Sequence, residues 1–291
     1  MKDFYIICAL IPAFICWAGA CYPIGAEDTL FSPVHCKGIP QRPEKACTGS
    51  EFLALTAHFS NEKRQKRAVY EFLRGNIPDF LRSLKPLSLN HPKPDGTKGK
   101  AVIWVMPDYL SIGTDKDFVR MPLTFISAVR VANAYDCVLP TRKIVDTIFA
   151  RAAVKLVPVP LIPGPDMRSC AYYSRHNQII EKQRGDRYEC EIIAGHKKDL
   201  VLTNRLQRMR KRVAIYGWHR KEDDPIQPLS TAHTDDYADY SHGVRLISSR
   251  VWLDGNFYSI YDILKQKSLA PALTYEGCLS NTRALMKHGV P

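Results

Sequence analysis

Long apolar runs are scarce in this chain. Only Phe4 to Trp17 qualifies, and it is too short for a full membrane span. No two cysteines fall as C-x-x-C, which removes the usual spacing of a structural zinc knuckle. The chain has no G-x-G-x-x-G or Walker loop, so no nucleotide cofactor is indicated. It also has neither H-E-x-x-H nor the G-x-S-x-G elbow. Helix-turn-helix, zinc-finger and RNP signatures are missing too, which leaves no specific nucleic-acid partner. There is no internal repeat and no low-complexity tract. What is present is 291 residues, 45% apolar and 10% aromatic, enough to bury a full core and too hydrophobic for global disorder.

The first residues carry an address. Lys2, the apolar run and Ala18-Gly19-Ala20 read as a signal peptide over 1–20 with an A-x-A cut before Cys21, and a second cut fits after Ala26. Ala-Gly-Ala-Cys also resembles a bacterial lipoprotein box. The expected location is therefore secreted or periplasmic, with lipid anchoring at Cys21 as the variant and no transmembrane span in the mature chain. Beyond Cys21 stand Cys36, Cys47, Cys137, Cys170, Cys190 and Cys278. An even set in an oxidising compartment reads as disulfides, with Cys36–Cys47 and Cys170–Cys190 the favoured local pairs among several connectivities. The net charge of +12 suits an anionic partner: a cell-envelope polymer, an acidic glycan or lipid headgroups. Oligomeric state is not legible.

Elements follow from periodicity and punctuation. Residues 21–49 form an irregular Cys- and Pro-rich arm, and 50–291 a single domain whose two lobes would join at the proline-rich connector 157–165. Phe52 to Leu73 keeps helical spacing behind Ser50 as N-cap. Ser83–Leu89 and Ala101–Met106 read as strands across a turn-rich hairpin. Pro122–Ala134, Thr141–Leu156, Arg175–Arg184 and Tyr258–Leu264 read as helices. Tyr188–Ala194, Asp199–Thr203, Val213–Trp218 and Val244–Trp252 read as strands. Helices and strands without a β-α-β cadence predict an α+β fold, helical in its first half with a largely antiparallel sheet in its second.

Chemistry concentrates between Val213 and Ile247, VAIYGWHRKEDDPIQPLSTAHTDDYADYSHGVRLI. His219, His233, Asp239 and His242 are the candidate catalytic residues. His233, Asp239 and His242 form the candidate metal set, since imidazole and carboxylate are the usual ligands of a catalytic zinc. Without metal, Asp239 would orient His233 or His242 as general base, with water or Ser241 as nucleophile. Lys198, Trp218 and Arg245 are the candidate substrate-binding residues, offering positive charge and a stacking ring. Lys197 reads as a solvated lysine, Ser241 as a turn serine, and Tyr237 and Tyr240 as packing rings.

Two resemblances bear on this. AYDCVLPTRKIV (Ala134 to Val145) and RVAIYG (Arg212 to Gly217) locally resemble the nucleophile helix and histidine strand of NlpC/P60 endopeptidases, which would make Cys137 a nucleophile. Here Val138-Leu139 replaces that family's Ser-Gly, and Arg212 stands where its histidine usually leads. More widely, GNIPDFLRSLKP, MPDYLSIGTDKDFVRMPLT, LPTRKIVD, GHKKDLVLTNRL and YADYSHGVRL together resemble a family of exported bacterial proteins. That likeness spans most of the mature chain and implies one shared architecture, but it carries no reaction with it. The expectation is a secreted hydrolase of an extracellular or cell-wall polymer, cutting an amide or peptide bond. The alternative is a non-catalytic module binding an anionic glycan or envelope surface.

Overall fold

The computed structural model describes residues 32–36, 38–93, 95–187 and 191–287. The expected signal at 1–20, Cys21, the first part of the 21–49 arm and Cys190 lie outside the described residues. A short strand β1 (Val34–His35) leads into helices α1 (Gly49–Thr56) and α2 (Asn61–Leu73). The hairpin β2 (Ser83–Pro92) and β3 (Lys98–Val105) follows, then the smaller hairpin β4 (Ser111–Gly113) and β5 (Phe118–Arg120). Helix α3 (Phe125–Ala134), strand β6 (Cys137–Val138), helix α4 (Arg142–Arg151) and strand β7 (Val154–Lys155) come next. Beyond the connector lie α5 (Cys170–Arg184), β8 (Ile193–Ala194), β9 (Lys198–Leu200) and α6 (Arg205–Arg208). Strands β10 (Ile215–Lys221), β11 (Asp224–Ser230), β12 (His242–Gly243), β13 (Ile247–Leu253) and β14 (Asn256–Ser259) precede α7 (Ile260–Lys265) and α8 (Thr282–Leu285).

The helical stretch expected over Phe52 to Leu73 is two helices, each with its own cap. Thr48, rather than Ser50, caps α1 in a reciprocal capping box with Glu51, while Ser50 turns its N–H and hydroxyl to Asp117. Ser60 caps α2. Between them Arg64 folds back and donates to the carbonyls of Thr56 and Phe59, just past the end of α1, and to that of Arg168. At the other end of α1, Gly49 lets the helix close on β5, because a Cβ there would lie 2.5 Å from the backbone carbon of Phe118.

The architecture is mixed α+β. One sheet runs β1-β2-β3-β13-β14, with β6 also pairing β13, and every pairing in it is antiparallel. It therefore draws strands from both halves of the chain. A second sheet runs β11-β10-β9-β12, antiparallel except where β12 lies parallel to β9. Strand β11 had no counterpart in the periodicity, because Pro225 and Pro228 interrupt it. Its edge position tolerates them, since a proline has no ladder N–H to give. One apolar core runs from Ile39 to Met286 and includes Phe52, Phe72, Ile103, Val129 and Ile148.

The connector 157–163 has no regular structure but is tied down. Val157 exchanges hydrogen bonds with the Gln183 amide, and the Leu161 N–H donates to the Tyr240 hydroxyl at 2.7 Å. None of the described cysteines is bonded to another. Cys36 was expected to bridge to Cys47, but its sulfur lies 3.7 Å from that of buried Cys137. Among the described residues no helix is long and apolar enough to cross a membrane.

Candidate functional site

The parallel pairing of β12 with β9 sets His242 beside Lys198 and pulls the 231–241 loop onto the second sheet. That loop is pinned along its length. Val213 donates to the His233 carbonyl, Asp235 to that of Lys211, Tyr240 to that of Met167 and Lys198 to that of Ser241. Because the loop's backbone is held on both sides, its side chains converge reproducibly, which a free loop would not achieve.

Asp239 is the hub. Its Oδ1 accepts the Ser241 backbone N–H at 2.8 Å and the Ser241 hydroxyl at 2.6 Å, and its Oδ2 accepts the Tyr237 hydroxyl at 3.0 Å. Burial alone would raise this carboxyl, but the neighbouring His242 ring, the Ser241 donors and the Lys198 charge hold it below its ordinary value. Tyr237 stacks on His233 at 4.2 Å between centroids and meets His242 edge-on at 5.7 Å. The two imidazoles are 5.9 Å apart.

His242 is wholly buried, and neither ring nitrogen has a hydrogen-bond partner. Burial pushes it down to about 4, with the Asp239 carboxylate pulling the other way, so the ring is neutral near neutral pH. Native interiors rarely leave such groups unmet unless a water, ion or ligand uses them. His233 is half-buried and also lowered by burial. Lys198 is lowered by burial despite Asp239, and its ammonium sits 5.0 Å over the Trp218 ring.

Trp218 itself is buried, with a left-handed backbone (φ 57°) and an unpaired indole N–H. A bulky residue in that region costs about 1–3 kcal/mol and persists only where its surroundings fix it. Here the Lys197 carbonyl accepts its backbone N–H, and Lys198, His176 and Tyr240 bracket the ring.

The sequence GHKKD, Gly195 to Asp199, feeds four neighbouring polar contacts. His196 lies 3.0 Å from Asp108, which is itself clamped by Arg120, and Arg120 continues to Glu181. Lys197, expected at the surface, is buried; it donates to the Tyr240 carbonyl at 2.6 Å and lies 3.3 Å from His176. Burial, with the nearby Arg120 charge, brings that lysine down to about 7. Lys198 turns to the candidate site, and Asp199 accepts the Tyr109 hydroxyl at 2.8 Å. Lys197, His176 and Tyr237 are the members that sequence reasoning passed over. Only the doubled lysine before a strand pointed toward any of them.

The expected residues thus divide. His233, Asp239, His242, Lys198 and Trp218 come together. His219 lies apart in its own arrangement, 3.1 Å from Asp146 and stacked on Phe149, with the Tyr216 hydroxyl on the same carboxylate. Arg245 faces inward, donating to the carbonyls of Met106 and Ile193 and covering the Tyr109 ring. Its guanidinium ties strands together and does not meet the His233–His242 cluster. Cys137 is buried in β6 against Cys36, and Ser241 spends its hydroxyl on Asp239.

His233 and His242 present imidazoles, and the Asp239 carboxylate between them accepts hydrogen bonds from Ser241 and Tyr237. Among the described residues no three His, Cys, Asp or Glu side chains are placed to hold a metal. Compared with known proteins, the chain matches no family model, no curated protein and no solved structure.

Proposed function

We propose that this chain is a secreted hydrolase of an extracellular or cell-wall polymer, acting on an amide or peptide bond by general acid–base chemistry at His242. The observation that carries the reading is the buried, neutral His242 imidazole with both nitrogens unpartnered, next to a carboxylate that Ser241 and Tyr237 hold in place. One ring nitrogen takes a proton from water as its oxygen attacks the carbonyl carbon. The same proton then goes to the leaving nitrogen as the C–N bond breaks. The imidazolium formed in between is stabilised by Asp239, which is ionised and cannot relax away from its donors. Lys198, held over Trp218, supplies positive charge for the developing oxyanion. The export-like leader, the net charge of +12 and the resemblance to exported bacterial proteins support an anionic envelope polymer as substrate.

The test is release of new amino groups from purified cell-wall material by the mature protein. His242→Gln should lower the rate by about 10²–10⁴-fold while the folded spectrum is retained. His219→Gln should leave it near the wild-type value. No release by wild-type protein, with or without added zinc, ends the reading. The net charge favours one other role, adhesion to an anionic glycan without catalysis. That role predicts binding that fades with salt, since screening shortens to about 8 Å at physiological ionic strength. The burial of Trp218 weighs against the sugar-stacking form of it.

A further inference from the structure

We propose that Cys36 and Cys137 are oxidised to a disulfide that fastens the edge strand β1 to the core of the first sheet. The two sulfurs are 3.7 Å apart across a sequence separation of 101 residues. Both backbones are fixed. The Cys36 N–H donates to the Arg82 carbonyl, its own carbonyl accepts from Ile39, and β1 pairs with β2. Cys137 pairs with Ser248 in the same sheet. Closing to the roughly 2 Å of a covalent bond brings the sulfurs less than about 2 Å nearer, between backbones that the sheet already holds.

The two thiols are also unequal in the way exchange chemistry needs. Cys36 is partly exposed, and its hydrogen bond with Cys137 lowers it despite burial. Cys137 is buried and raised, first by that same hydrogen bond and then by desolvation. Cys36, as thiolate, attacks a disulfide-bearing oxidant such as oxidised glutathione or a thiol–disulfide oxidoreductase, expelling one thiolate and forming a mixed disulfide. Cys137 gives up its proton and attacks the Cys36 sulfur, expelling the second thiolate. Two electrons pass from the cysteine pair to the oxidant, whose disulfide becomes two thiols. The Tyr135 carbonyl, which accepts from the Cys36 thiol at 2.8 Å, loses that donor. The more obvious local partner, Cys47, is engaged instead by the Asn76 side-chain amide. This cross-link stands whether or not the chain is a hydrolase.

The experiment uses the full chain exported to an oxidising compartment. The protein is quenched by alkylation under denaturing conditions and digested without reductant, and its peptides are weighed. The expected result is a Cys36–Cys137 linked species, lighter by two hydrogens than the summed peptides and lost on reduction. Cys47→Ser should leave the link intact, and Cys36→Ser should leave Cys137 open to alkylation. Alkylation of both Cys36 and Cys137 in the oxidised wild-type protein overturns the proposal, as does a Cys36–Cys47 link. Because the wild-type chain gives the answer directly, a variant that fails to fold does not blunt the test.

Discussion

Replacing His242 by glutamine should change how the fold responds to acid. The native imidazole is pushed down to about 4 by burial; Asp239 opposes this, while Lys198, His233 and Lys197 add to it. In the unfolded chain the same ring takes its proton near 6.5. Between those values the unfolded state binds a proton that the native state refuses. Stability is therefore full above about pH 6.5 and falls as the pH drops towards about 4. At about 1.4 kcal/mol per pKa unit the whole gap is roughly 3 kcal/mol, of which roughly 2 kcal/mol is lost between about pH 7 and about pH 5. Glutamine does not titrate. Urea unfolding at those two pH values should show the variant losing roughly 2 kcal/mol less than the wild type. His176 and His196 are lowered by burial as well, but they are common to both proteins and cancel in the comparison. Equal losses would refute the reasoning, because they would mean the ring is solvated or already hydrogen-bonded.

Arg120→Met should be severe. It strips Asp108 of a buried guanidinium at 2.6 Å and leaves the carboxylate only His196 and the Tyr109 N–H, at a cost of about 3–5 kcal/mol. Calorimetry should show Tm falling by roughly 10 °C, and a fall under about 2 °C would contradict the buried pair. Gly49→Ala drives a methyl group against the Phe118 backbone and should lower the urea midpoint by the equivalent of about 1–3 kcal/mol. An unchanged midpoint would mean that the α1–β5 corner gives way freely.

Several elements were legible because their signals are local. Alternation in Ser83–Leu89, the turn at 90–96 and the helical spacing of Pro122–Ala134 and Thr141–Leu156 act within a few residues, and the elements they predict are present. His233, Asp239 and His242 could be grouped for the same reason, since they share one short loop. The split after Thr56 depends on Arg64 reaching back from the next helix, and no periodicity measures that. Lys197 was expected at the surface and is buried, because burial of a charged side chain is decided by a distant partner, and His219 and Arg245 likewise take their partners from afar. Their carbonyl, Asp146 and ring contacts come from segments tens of residues away. Nothing in RKE or VRL spacing encodes those meetings.

The prolines of β11 have a consequence outside the fold itself. An exposed sheet border is a template on which another chain can pair, and such pairing is the first step towards aggregates. Along the border of the second sheet, Pro225 and Pro228 remove two amide hydrogens within seven residues. A strand poor in amide donors offers a foreign chain less to pair with. The border of the second sheet that lies farthest from β12 and His242 is therefore a poor template for further copies of the chain.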